Sequence, residues 1–203
     1  MTPAVALARL RELKTPIITT SDAAAVLGLS AEASSQALRR LTKIGLVQHV
    51  RRGLWVIDGD VEPLLLVDHL TAPYPSYVSF QTALYLHGMI TQIPAMTYVA
   101  SLGRAARIRT AAGTFSVHRI APDFFGGFEV RADAVKLATP EKALLDVLYL
   151  SGQRGRLFGA LPELEIPRGF RRAFAESWIR RIQTPRLATL VRAKLEAILA
   201  RAR

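Results

Sequence analysis

Residues 20 to 57, TSDAAAVLGLSAEASSQALRRLTKIGLVQHVRRGLWVI, constrain the fold more than any other stretch of the chain. Ser21 is placed to cap a short helix Asp22 to Leu27, Gly28 supplies a turn, and Ser30 is placed to cap a second helix Ala31 to Ile44 that Gly45 ends. In that second helix Ala37, Leu38, Leu41 and Ile44 fall at i, i+1, i+4 and i+7, a spacing that predicts one buried stripe. Ser35, Gln36, Arg39, Arg40 and Lys43 are then left on the outer face. The runs Leu46 to Val50 and Leu54 to Ile57, joined through Arg51-Arg52-Gly53, read as a hairpin with two arginines at its tip and His49 on its first strand. Helix, turn, helix and basic wing in this order form a shape that reads double-stranded DNA. The candidate DNA-binding residues are Ser35, Gln36, Arg39, Arg40, Lys43, His49, Arg51 and Arg52.

Charge agrees with this reading and adds a question. The chain carries 27 Lys+Arg against 16 Asp+Glu, a net charge of +11, and such an excess favours polyanions through counterion release. Residues 1 to 60 hold 8 basic and 5 acidic groups, residues 61 to 167 hold 9 of each, and residues 168 to 203 hold 10 basic and 2 acidic groups. Most of the excess therefore lies in the tail and not in the winged segment.

With 203 residues, half of them hydrophobic, the chain can bury a core in one or two domains, and two are expected. The absence of cysteine excludes disulfides, Cys-ligated zinc and thiol nucleophiles. The opening MTPAVALARLRELKT lacks an unbroken apolar region, and no later apolar run reaches about 18 residues, so a cytoplasmic protein without membrane contact is expected.

The domain boundary is expected at Asp58-Gly59-Asp60, giving a DNA-binding domain 1–60 and a second domain 61–203. In the second, Glu62 to Leu70 reads as helical, and Thr71-Ala72-Pro73-Tyr74-Pro75 is a stiff connection. Ser79 is placed to cap a helix Phe80 to His87 that stops at Gly88. Tyr98 to Leu102 and Thr114 to Ile120 read as strands with Gly113 in a turn, and Ala134 to Leu137 is a third candidate. Thr139-Pro140-Glu141 is a helix start, with the cap, proline at the first helical position and a carboxylate near the positive helix end. The tail reads as two helices, Phe170 to Ile182 and Arg186 to Arg201, broken at Thr184-Pro185.

Several of these segments resemble one family. Tyr77-Val78-Ser79 with Ala83-Leu84 and His87-Gly88, Gln92-Ile93-Pro94, Gly113-Thr114-Phe115 with His118-Arg119, and above all Ala138-Thr139-Pro140-Glu141-Lys142-Ala143-Leu144-Leu145-Asp146 resemble the AbiEi antitoxins of type IV toxin-antitoxin systems. The resemblance covers roughly residues 5 to 150 and fades in the basic tail. It implies a winged helix joined to a mixed C-terminal domain, in a cytosolic repressor that binds repeats in its own promoter. It also implies a functional partner, a nucleotidyltransferase toxin, countered without a stable complex.

Enzyme-like signals are thin beside this. His69, His87 and His118 with Asp68 show no HxxxH or HExxH spacing, so no metal site is expected. His87 before Gly88 reads as a helix end with its ring bonded to a carbonyl, and His118 as a partly exposed sheet position. Glu141 and Asp146, five apart, lie on different helix faces and do not form an acid-base pair. Gly152-Gln153-Arg154-Gly155 matches a GxxG nucleic-acid loop by letter, and a post-helix turn accounts for it equally well. No phosphate or dinucleotide fingerprint occurs, so no cofactor and no catalytic residue is expected. In the tail, Phe170, Phe174, Trp178 and Ile182 form one stripe, and Leu187, Leu190, Val191, Leu195, Ile198 and Leu199 another. Two such stripes can pack together and leave Arg171, Arg172, Arg180 and Arg181 either solvated or as an anionic-partner surface.

The expected fold is α+β: an N-terminal winged helix-turn-helix followed by a mixed C-terminal domain with a small antiparallel sheet and several helices. The expected function is a DNA-binding autorepressor and antitoxin. A nucleic-acid-processing or phosphoryl-transfer enzyme would need a cluster of polar side chains in the C-terminal domain. A ligand-responsive transcription factor would need an apolar pocket there.

Overall fold

The computed structural model describes residues 1–57, 59, 61–152 and 163–201. Asp58 and Asp60 of the expected boundary, and the Gln153-Arg154-Gly155 part of the GxxG run, lie outside the described residues. The chain divides into two compact units, Met1–His69 with Arg109–Gly113, and Leu70–Ile108 with Thr114–Arg203.

The first unit begins with α1 (Pro3–Arg11) and β1 (Ile17–Thr19), followed by α2 (Thr20–Leu27) and α3 (Ala31–Lys43). The wing strands β2 (Val47–Arg51) and β3 (Leu54–Ile57) complete a three-stranded antiparallel sheet in the order β1-β3-β2. Helix α2 starts two residues before Asp22, the start that the sequence predicts. Thr19 accepts the Asp22 N–H at 3.1 Å while the Asp22 carboxylate accepts the Thr19 N–H at 2.7 Å, so one pair satisfies two orphan donors that Ser21, already inside the first turn, cannot reach. Gly28 takes φ 66°, the left-handed conformation that closes α2. Ser30 caps α3 as its position predicts, accepting the Ala33 N–H at 3.2 Å.

The core of this unit gathers Leu7 and Leu10 of α1, Ala23 and Leu27 of α2, Leu38 and Leu41 of α3, and Val47, Trp55 and Ile57 of the wing. Ile44 is not part of it. Helix α3 stops at Lys43, Ile44 leaves helical geometry as the C-cap, and its side chain is 56% exposed. Ser34, one turn before Leu38, is buried instead, and Ala37 is half-buried. The expected helix Glu62 to Leu70 is a 3-10 turn, Pro63–Leu66, running into the short α4 (Val67–Thr71).

The second unit is built on a larger sheet than the sequence suggests. Strands β4 (Ser76–Val78), β5 (Thr97–Ser101), β6 (Ala106–Thr110), β7 (Gly113–Arg119), β8 (Phe128–Val130) and β9 (Lys136–Ala138) lie in the order β6-β7-β5-β4-β9-β8. The sheet is mixed: β4 runs antiparallel to β5 and parallel to β9, while β5 runs parallel to β7. Helix α5 (Phe80–Leu86) follows β4, and α6 (Pro140–Ser151) follows β9. Thr139 caps α6 by accepting the Lys142 N–H at 3.3 Å, with Pro140 at the first position. Residues 141 to 149 of α6 are all buried, polar ones included. Helices α7 (Arg172–Ile179) and α8 (Pro185–Arg201), with the turn between them, seat Trp178, Ile179, Ile182, Leu187, Val191 and Leu195 in the same core. The two tail stripes thus pack within the unit; Leu190 alone of their members is exposed, at 39%.

Candidate DNA-binding surface

The outer face of α3 and the wing enclose a groove of about 550 Å³, lined by Ser35, Arg39, Thr42 and Lys43 on the helix side and His49, Arg52, Gly53 and Trp55 on the wing side. Its walls follow from local chemistry. The buried positions Ser34, Leu38 and Leu41 hold α3 to the core, so Arg39 and Lys43, four apart, project from one side of the helix. On the wing, His49 and Trp55 are partners across the antiparallel pair and share a face. Their rings lie 4.5 Å apart, and the indole N–H donates to Thr20 Oγ1 at 2.9 Å. The groove is therefore basic along its rim and aromatic along its floor.

The eight residues expected from sequence do not stand alike. Ser35, Arg39, Lys43, His49 and Arg52 line the groove. Gln36 and Arg40 are both exposed on α3 and both lie outside its lining. Arg51 is half-buried, and its guanidinium donates to the His69 carbonyl at 3.2 Å, which leaves Arg52 as the exposed arginine of the wing tip. Thr42, Gly53 and Trp55 are groove residues that the sequence reading missed. For Trp55 the signal was present: it sits opposite His49 in the hairpin, so whatever His49 faces, Trp55 faces too.

In the tail, acidic partners engage half of the expected arginine set. Arg171 donates to Glu141 Oε1 through its backbone N–H at 2.8 Å and its Nε at 3.2 Å. Burial pushes the Glu141 carboxyl up, but the Arg171 bonds outweigh this and hold it below the ordinary carboxylate value. Arg172 pairs with Glu196. Arg181 lies over the Trp178 ring at 4.2 Å, and Arg180 is exposed at the end of α7.

The second unit also contains a polar cluster that no spacing rule singled out. Lys142 and Asp146, one turn apart on α6, form an ion pair with no exposed side-chain surface. Tyr77 of β4 and Ser79 donate to Asp146 Oδ2 at 3.0 and 2.6 Å, and the Lys142 ammonium donates to the Tyr77 oxygen at 2.9 Å. Ser79 thus occupies the N-cap position of α5 without capping it, because its hydroxyl is spent on Asp146. The rings of Phe124 and Trp178 face the ammonium at 3.9 and 5.2 Å. Burial pushes the Lys142 ammonium below the usual lysine value and the Asp146 carboxyl above the usual carboxylate value, while their pairing opposes both shifts. Burial and the Asp146 charge together raise the Tyr77 phenol well above its ordinary value. The four side chains bind the β4–α5 segment to α6, and none is open to solvent.

His87 ends α5 with its Nε2 2.7 Å from the Ala138 carbonyl, as its place before Gly88 suggests. His118 is half-buried between Tyr98 and Phe80, 2.9 Å from the Ser116 hydroxyl. Burial lowers its pKa to about 4. Among the described residues no three His, Asp or Glu side chains are grouped to hold a metal ion, and no helix is long and apolar enough to cross a membrane. No curated protein matches the chain. Residues 5–57, running from α1 to the last strand of the wing, match the model of the AbiEi antitoxin family of transcriptional regulators.

Proposed function

We propose that the protein is a cytoplasmic DNA-binding regulator that represses its own promoter and acts as the antitoxin to a nucleotidyltransferase toxin, without a stable complex with it. The observation that carries the DNA-binding part is the basic groove between α3 and the wing, which lies inside the segment that matches the regulator family. In this reading Arg39, on the groove side of α3, and Arg40, exposed beside it, reach base edges in the major groove, where an arginine can give two hydrogen bonds to guanine O6 and N7. Arg52 at the wing tip suits a backbone phosphate, and the exposed His49, packed on the buried Trp55 ring, lies beside it. The family match and the resemblance of the segments from Tyr77 to Asp146 support the antitoxin role.

The division of labour proposed is regulation by residues 1–60 and protection by residues 61–203. The polar cluster of the second part, Tyr77, Ser79, Lys142 and Asp146, is fully buried and joined to itself, so none of these four groups is open to a substrate. A gel-shift titration on the DNA upstream of the protein's own gene tests the reading. Arg39→Ala with Arg40→Ala is expected to weaken binding by about 1 to 3 kcal/mol for each arginine that reads a base. Unchanged affinity would take α3 out of the reading role.

A further inference from the structure

The corner between α7 and α8 carries three arginines that the ion pairs of the tail do not use. Arg180 closes α7, Arg181 follows it, and Arg186 lies in the first turn of α8, so all three fall within seven residues and all are exposed. The tail from residue 168 onward has two carboxylate side chains, Glu176 and Glu196. Glu176 accepts the Arg192 Nε at 3.0 Å, and Glu196 pairs with Arg172. Both are thus committed within the α7–α8 pair. Asp123 lies in the cleft beside Arg181, but its carboxylate accepts the Gln183 amide at 3.0 Å.

Arg181 is also ordered by its surroundings. Its guanidinium lies 4.2 Å over the indole of Trp178, which is itself buried in the core. A guanidinium laid on an aromatic face keeps its N–H groups in plane for an anionic oxygen, and less side-chain entropy is lost when that interaction forms. The corner is therefore a compact, partly preorganised patch of three positive charges facing two negative ones, Glu176, which is bonded to Arg192 but also near Arg180, and Asp123 beside Arg181, so it keeps a net positive charge.

We propose that Arg180, Arg181 and Arg186 form a phosphate-contacting surface that holds the backbone of double-stranded DNA, separate from the residues of the winged helix. This rests on the DNA-binding reading of the first unit: once the winged helix engages a duplex, tethering within one chain raises the local phosphate concentration at the corner. The three arginines sit at a helix corner and not along a helix or hairpin that could enter a DNA groove, so they contact phosphate and the surface contributes affinity without sequence preference.

Two full-length variants test this, each first checked for an unchanged thermal unfolding midpoint. Arg180→Gln with Arg181→Gln and Arg186→Gln removes the corner charge, and Arg39→Gln with Arg40→Gln and Lys43→Gln removes the α3 charge. Binding is measured against salt on three duplexes of equal length: DNA from upstream of the protein's gene, unrelated DNA, and RNA. The corner variant is expected to flatten log affinity against log salt by up to about 2.7, three phosphates at roughly 0.9 each, on both DNA duplexes alike and with the preference for the upstream DNA intact. The α3 variant is expected to lose that preference. Unchanged DNA slopes for the corner variant, with preference abolished in the α3 variant, overturn the proposal while leaving the DNA reading standing. A corner variant that weakens only RNA binding overturns it as well. If the α3 variant also keeps affinity and preference, the reading of the first unit fails and the proposal falls with it.

Discussion

Lys142 and Asp146 are opposite charges one helical turn apart in a fully buried stretch of α6, and their value to the protein depends on both being present. Removing one partner of a buried pair leaves an uncompensated charge, which costs about 3 to 5 kcal/mol, whereas replacing both with apolar groups of similar volume is often close to neutral. Lys142→Met is therefore expected to lose stability on that scale, and Lys142→Met with Asp146→Leu to recover much of it, read by urea unfolding. Full recovery is not expected, because the Tyr77 and Ser79 hydroxyls would lose their acceptor. A double variant no more stable than the single one would mean that the network as a whole, and not charge balance, holds β4 and α6 together. His118 gives a second prediction. Its pKa falls from 6.5 to about 4 on folding, so between those values the unfolded chain binds a proton there that the folded chain does not. The stability that follows from the neutral ring is present above about pH 6.5 and is lost as pH falls toward 4. The unfolding midpoint of His118→Gln should accordingly depend less on pH than that of the unaltered protein across this window, and parallel curves would show that the ring does not titrate differently in the two states.

At the scale of elements, the wing is where the structure most changes the sequence reading. Two adjacent arginines at a hairpin tip look equivalent by letter, yet β2 continues through Arg51, whose side chain reaches the His69 carbonyl, and the two-residue turn is Arg52-Gly53. Arg52→Ala is expected to reduce the salt slope of DNA binding by roughly 0.9, one phosphate, and Arg51→Ala by clearly less. Equal losses for the two would mean that Arg51 leaves His69 when DNA binds. The same contrast explains what was legible along the chain. Helices announced themselves through caps and stops: Ser30 and Gly45 around α3, Thr139-Pro140 before α6, Thr184-Pro185 before α8. The α+β class and the winged helix followed from these signals and from the hairpin. The strands β1, β4 and β8, three residues each, are too short for a period-two pattern to show, and β9 was found only in part, as Ala134 to Leu137 against the observed Lys136–Ala138. Sheet order was hidden as well, because β4 lies between β5 and β9, a partner nearly sixty residues away in sequence. The buried cluster was missed for a related reason. From sequence Asp146 is weighed with Glu141 and not with Lys142, and an i,i+4 charge pair fits a solvated helix face as well as a buried one; only the tertiary packing of Phe124 and Trp178 shows that this face is inward.

For the whole molecule, the partition of charge bears on how the two proposed activities would share one chain. The first 60 residues carry 8 basic and 5 acidic groups and hold the α3 groove, while residues 168 to 203 carry 10 basic and 2 acidic groups. The first unit has its own core around Leu38, Leu41 and Trp55, and the second has one around α6, α7 and α8. Substitutions on the outer face of α3 touch neither core, since Arg39 and Arg40 are exposed, so they can be made in the full chain without cutting it. If the winged helix regulates and residues 61–203 protect, full-length protein with Arg39→Ala and Arg40→Ala should derepress a reporter driven by its own promoter while still rescuing cells that express the partner toxin. Expression would be driven from an unrelated promoter, so that lost autoregulation does not itself change the dose. A folded variant that neither represses nor rescues would show that protection requires the DNA-bound state. Protection would then act through occupancy of DNA, and the assignment of the two activities to separate parts of the chain would not hold.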